Sequence, residues 1–202
     1  MLERHKMKKT GKMLKISSGS PQFRIQAEFD QVAPLYSFYS QNEIDNDLVG
    51  LDVDKSEQKS VRTFDQVVTV SEGDVVFSLV SGQATVVRKV HEGYLLTQNY
   101  VKINVNEELD SKYLTYILNE DNNIKKQLKL GLQGSQVLKY TLKQIKEIDM
   151  PTLPALDVQR LIGDVYFNQI HLHALKKQTA DLETISALEK LKRIGKNERT
   201  EV

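Results

Sequence analysis

Between Thr63 and Val105 the chain alternates short runs of β-branched and aromatic residues with glycine-bearing breaks. TFDQVVTV gives way to SEGD, VVFSLV to SGQ and ATVVRKV to HEGY, and YLLTQ and YVKINV follow. Runs of Val, Ile, Phe and Thr of this length predict strands, and breaks this short predict antiparallel hairpins rather than crossovers. At Asp110 the period lengthens. Asp110 or Ser111 can cap a helix whose Tyr113, Leu114, Ile117 and Leu118 fall at helical spacing. Asn122 and Asn123 interrupt it, and Ile124 and Leu128 predict a second short helix ending at Gly131. Thr141 and Gln144 have capping-box spacing and open a further turn at TLKQIKE. Pro151 and Pro154 then hold IDMPTLP extended.

Beyond Pro154 the pattern changes again. From Asp157 to Ile194 the only glycine is Gly163 and there is no proline. That is about 38 residues, or roughly 57 Å of helix. Leu161, Val165, Asn168, Leu172 and Leu175 alternate at spacings of 4 and 3, and Thr179 and Leu182 continue the series. This is a heptad seam with two polar interruptions, and it predicts a partner helix. Ile185, Leu188, Leu191 and Ile194 drift to a spacing of 3. The competing reading is an amphipathic helix lying on its own domain. The expected architecture is α+β: a mostly antiparallel β domain with short helices over residues 1–154, then a long coiled-coil-type helix and polar tail over 155–202.

Composition narrows the chemistry. The 202 residues carry 28 Lys and Arg against 27 Asp and Glu, a formal net charge of +1, so the chain is no generic polycation. The distribution is uneven. Residues 1–27 hold seven basic residues and one acid, residues 28–57 hold eight acids and one lysine, and residues 122–146 hold six lysines and no acid. Folding that gathers the basic segments gives one face a strong positive potential. No cysteine is present, which rules out disulfides, thiolate zinc sites and a cysteine nucleophile. No apolar run approaches a membrane span, and the basic start lacks a signal-peptide core. The expected location is cytoplasmic.

Catalytic signatures are missing from the sequence. It has no phosphate-binding loop, dinucleotide fingerprint, nucleophile elbow or H-E-x-x-H pair. His171 and His173 are two apart on a predicted helix and face different ways. Asp54, Glu57 and Lys59 have a loosely nuclease-like spacing, within a stretch that looks like a solvated loop. The chain is expected not to be an enzyme.

The segments GDVVFSLVSGQATVV, LDSKYLTYIL and GLQGSQVLKYTLKQIKEIDMPTLPALDVQRLI, in that order, resemble the specificity subunit of type I restriction-modification systems. Gly73–Asp74 match the family's G-D strand start, and Gly134–Ser135 with Val137 and Leu138 approximate its later G-[ST] segment. Ile148, Met150, Pro151, Pro154, Gln159 and Ile162 match the proline-flanked helix start, and ISSGSPQFR is similar to the usual opening. P-A-L-D-V-Q replaces the common P-P-L-x-E-Q. The usual subunit has two recognition domains and two long helices; here there is one of each, so the chain resembles a half-subunit.

The resemblance implies sequence-specific binding of double-stranded DNA, with two halves pairing through their helices to read a bipartite site. It implies methyltransferase subunits as partners and, where present, a restriction subunit, to which S-adenosylmethionine, ATP and Mg would belong. A homodimer would read a palindromic target. On residue chemistry, candidate DNA contacts are Gln22 and Arg24, Tyr36 and Tyr39, Ser81 and Gln83, Arg88, and Gln98 and Asn99. The lysine run adds Lys125, Lys126, Lys129 and Lys139 for phosphates, with Gln133, Ser135 and Gln136 for base edges. Each has an ordinary alternative as a turn, cap or solvated residue. Candidate dimerisation residues are Leu161, Val165, Asn168 and Leu172, continuing to Leu175, Leu182, Ile185 and Leu188. A stand-alone DNA-binding regulator or decoy half-subunit, and a coiled-coil scaffold that binds no DNA, are the rival functions.

Overall fold

The computed structural model describes residues 8–51, 58–131 and 139–200. Its largest sheet is built from β2 (Lys15–Ser18), β8 (Tyr100–Asn104), β5 (Val75–Ser78) and β6 (Ala84–Val86), antiparallel throughout. Strand periodicity sends alternate side chains to opposite faces. Val75 and Phe77 of β5 therefore enter one core with Val101, Ile103, Leu114 and Ile117, while Val76 enters a second with Tyr39, Ile44, Leu96 and Tyr100. Both faces of the sheet are covered, which is why β5 reads as a continuous apolar run.

A second sheet joins β4 (Ser60–Arg62), β3 (Leu35–Tyr39) and β7 (Leu95–Leu96). Its β3–β7 pair is parallel, a departure from the hairpin expectation. TFDQVVTV is not a strand of either sheet. Asp65 N–H turns back to Thr63 Oγ1 and the Asp65 carboxylate accepts from Gln26 N–H, so the segment begins as a turn. Only Val68 to Val70 run beside β7, with Leu96 N–H donating to Val68 O and Val70 N–H to Tyr94 O. β1 (Lys8–Lys9) pairs with β9 (Asp149–Met150), tying the two ends of the domain together.

The expected helices form. Asp110 caps α3 (Ser111–Glu120) by accepting from Tyr113 N–H. Asp121 caps α4 (Asn122–Leu130), which places Ile124 and Leu128 in the core. Thr141 and Gln144 close a capping box on α5 (Leu142–Glu147). A one-turn α1 (Thr10–Met13) and α2 (Gln41–Val49) complete the domain. In α2 the Glu43 carboxylate reaches back to Ser40 N–H at 2.7 Å, and Gly50 ends the helix at φ 71°.

The long helix α6 (Leu156–Thr200) spans 45 residues. Its start is fixed by Gln159, which is 1% exposed. The Gln159 amide donates to Glu108 O and Pro154 O and accepts from Asp110 N–H. Gly163 faces α3 so closely that a Cβ would lie 2.6 Å from Lys112 Cβ and 2.9 Å from Tyr113 N. Farther along, Tyr166 accepts from Asn119, and His171 Nδ1–H donates to Val49 O at the end of α2. Beyond Ala174 every side chain described is exposed.

Leu161, Val165, Leu172, Leu175 and Leu182 form an open stripe on the face away from the domain, exposed in this single chain, and Asn168, also exposed, sits where the stripe borders a cleft toward α2. The residues that touch the domain, Gln159, Ile162, Gly163, Tyr166 and Phe167, occupy the opposite face. Ile185 and Leu188 are exposed too, but they do not continue the same line. Each three-residue step turns the stripe back by about 60°.

Candidate nucleic-acid interface

One end of the main sheet gathers several of the residues singled out by sequence. The turn between β5 and β6 is closed by Gly82 N–H donating to Ser78 O and Ser78 N–H to Gln83 O. Gly82 has φ +75°, and a Cβ there would lie 2.6 Å from the Tyr140 ring, so glycine is required twice over. Leu79 N–H donates to Asn99 O, and Tyr140 N–H to Leu79 O. The hairpin tip is thereby stitched to the turn before β8 and to the chain entering α5.

Side chains complete the cluster. Lys139 Nζ donates to Asn99 Oδ1 at 2.7 Å and has no carboxylate partner among the described residues, so its charge stays available. Gln98 N–H donates to Ser20 O, bringing the 3-10 turn Gln22–Arg24 alongside. Ser81, Gln98, Gln22 and Arg24 are exposed; Gln83 and Asn99 are half-buried and held. Gln41, at the start of α2, donates from Nε2 to Gln83 Oε1 at 3.0 Å. Sequence reading missed Gln41, and the Ser40–Glu43 capping pair was the signal that would have put it on a helix start.

Other candidates lie elsewhere. Tyr39 is fully buried, and its hydroxyl donates to Asp47 at 2.7 Å, so it cannot meet a base edge. Burial and the adjacent Asp47 carboxylate push the Tyr39 hydroxyl well above its ordinary pKa. Arg88 sits past the far end of β6 from the hairpin tip, with Nε 3.4 Å from the same carboxylate. His91 Nδ1–H donates to Asp47 as well, at 2.7 Å, so this buried acid is a structural anchor for three elements. Tyr36 is half-buried in β3 opposite Val61. Lys125 pairs with Glu120, whereas Lys126 and Lys129 are exposed on α4. Gln133, Ser135 and Gln136 lie outside the described residues.

The arrangement can do two things chemically. Lys139 and Arg24 offer positive charge to a phosphate backbone, and Ser81, Gln83, Gln98 and Asn99 offer the donors and acceptors that read base edges. Among the described residues no group of three metal-ligating side chains comes together. A cleft of roughly 540 Å³ lies between α2, the Glu72–Gly73 turn and α6. Its cations already have partners: Lys112 pairs with Asp164, Arg88 with Asp47 and Lys89 with Glu92.

No protein-family model matches the sequence, and no curated protein is similar to it. Solved structures are. The HsdS subunit from Thermoanaerobacter tengcongensis superposes with a TM-score of 0.56 at 18% identity, over 87% of this chain and 39% of that one. The chain has the HsdS fold. A second match comes from a structure describing complex assembly and conformational transition of the type I R-M system. It has a TM-score of 0.59 at 20% identity, over 92% of this chain and 43% of that one. The chain thus spans about two fifths of the length of these HsdS-type neighbours. No helix among the described residues is long and apolar enough to cross a membrane.

Proposed function

We propose that the chain is a half-length specificity subunit of a type I restriction-modification complex, non-catalytic itself, that reads duplex DNA and pairs through α6. The observation that carries this reading is the convergence of Ser81, Gln83, Gln98, Asn99 and Lys139 at one sheet end, in a domain with the HsdS fold. Lys139 and Arg24 position the domain on phosphates, and the polar side chains around the hairpin tip read bases. The open stripe of α6 from Leu161 to Leu182 supports pairing with a second copy, so that two recognition domains read two blocks separated by a fixed gap. Methyltransferase subunits are the partners in this reading, with a restriction subunit where one is present. S-adenosylmethionine, ATP and Mg belong to those partners in this reading, and the complex works in the cytoplasm.

The test is selection from a random duplex pool at two salt concentrations, with the chain alone and with a methyltransferase subunit. Two short enriched blocks at a fixed separation are expected, palindromic if like halves pair. Binding that is salt-insensitive, or absent under both conditions, would overturn the reading in favour of a scaffold that does not touch DNA.

A further inference from the structure

We propose that Asp45 is a positioning residue that fixes the hydrogen-bonding sense of the Gln41–Gln83 pair, so that the hairpin tip offers a donor to a base edge. This rests on the DNA-reading role above. A primary amide has two ends of nearly equal shape, one donating and one accepting, and on a surface its sense is normally open. Here it is closed by a relay. Gln41 Nε2 lies 2.9 Å from Asp45 Oδ1 and 3.0 Å from Gln83 Oε1.

A carboxylate only accepts, so Gln41 must turn its NH₂ toward Asp45. The second amide hydrogen of Gln41 then points to Gln83, which must answer with its oxygen. Gln83 Nε2 is left with both hydrogens and, among the described residues, no partner. The Gln83 backbone is pinned as well: its carbonyl accepts from Ser78 N–H at 2.8 Å, and its N–H donates to Ser81 Oγ at 3.3 Å. Guanine N7 and O6, adenine N7 and thymine O4 accept such a donor in the major groove; the cytosine amino group does not. The tip is therefore built to reject cytosine at one position.

Asp45→Lys reverses the logic. An ammonium only donates, so Gln41 turns its oxygen toward position 45, Gln83 donates to that oxygen, and Gln83 Oε1 is left to accept. Asp45→Ala leaves both senses open.

The test has two arms on the full chain. In the first, without DNA, the side-chain amide NMR signals of Gln41 and Gln83 are compared between the wild type and Asp45→Ala. Both are expected to shift on the substitution; movement of Gln41 alone breaks the relay and overturns the proposal. In the second, DNA selection is repeated with a methyltransferase subunit present. The wild type is expected to disfavour cytosine about tenfold at one position, Asp45→Ala to lose that preference, and Asp45→Lys to favour cytosine or adenine there. A motif unchanged in both variants overturns the proposal while leaving DNA reading intact. No motif with the wild type sinks the DNA reading instead, and the first arm still decides the amide sense.

Discussion

Replacing Gln159 by Met removes three hydrogen bonds while nearly conserving volume, so the cost of the polar contacts can be read with little cavity term. The amide now serves Glu108 O at 3.0 Å, Pro154 O at 2.9 Å and Asp110 N–H at 3.0 Å, from a side chain that is 1% exposed. A buried group left without its partner costs about 1–3 kcal/mol. Glu108 is exposed and Pro154 and Asp110 are half-buried, so water can reach some of these groups and the total should fall near 2–4 kcal/mol. That is a large share of a typical domain's 5–15 kcal/mol or so. The chain has no tryptophan and eight tyrosines, so urea unfolding is followed by tyrosine fluorescence together with circular dichroism. The midpoint is expected to drop with the slope unchanged. A variant within about 0.5 kcal/mol of wild type would show that α6 is fixed by its apolar contacts alone, and would refute the role given to the amide.

Asp47→Ala should lower stability by about 3–5 kcal/mol in the same assay, because Tyr39 and His91 lose a shared buried acceptor and Arg88 its carboxylate. Lys139→Ala should weaken DNA binding and reduce the salt slope by about one, and should also relax specificity where Asn99, which Lys139 holds, meets a base, measured by fluorescence anisotropy at several salt concentrations. Burial raises Tyr166 to about 12 from its ordinary 10.0. The neutral tyrosine therefore holds α6 fully below pH 10, and that contribution is lost as the pH climbs through about 12. Tyr166→Phe should lose less stability than wild type across that window, as followed by denaturation at fixed alkaline pH.

What the sequence disclosed and what it withheld divide along physical lines. Caps are local, so Asp110 and the Thr141–Gln144 box were legible from a few residues, and so were the β5 to β8 runs between their glycine turns. The helix α2 was missed despite its Ser40–Glu43 capping box, because QNEIDNDLV is rich in Asn and Asp and carries few apolar residues to mark a period. Tyr39 shows a second limit. An aromatic in an alternating run looks the same whether its face meets solvent or core, and the acid that accepts from it lies eight residues away on another element. The Arg88 ion pair was hidden for the same reason, since its carboxylate partner comes from α2. At the hairpin tip the polar residues could be named one by one, but their meeting depends on backbone bonds from Leu79 to Asn99 and Tyr140 to Leu79 that no spacing reveals.

The exposed stripe of α6 bears on how the proposed pairing would be built. From Leu182 to Leu191 three steps of three residues carry the apolar line about 180° around the helix axis. A two-stranded supercoil of roughly 150 Å pitch turns by only about 30° over those nine residues, some 13 Å of helix. One straight partner helix therefore cannot cover both the Leu161–Leu175 part and the Ile185–Ile194 part. The first part lies opposite the domain, while Leu188 comes round to the side on which the domain sits lower down the helix. Two double variants separate them: Leu172→Lys with Leu175→Lys, and Leu188→Lys with Leu191→Lys. All four positions are exposed in the single chain, so neither variant should unfold the domain. Light scattering should show the first pair abolishing self-association. The second pair should spare the dimer, or weaken it far less, and reduce capture of a methyltransferase subunit in size-exclusion chromatography. Equal loss of both associations in both variants would mean that α6 bends or overwinds enough to present a single seam, and the two-surface argument would fall.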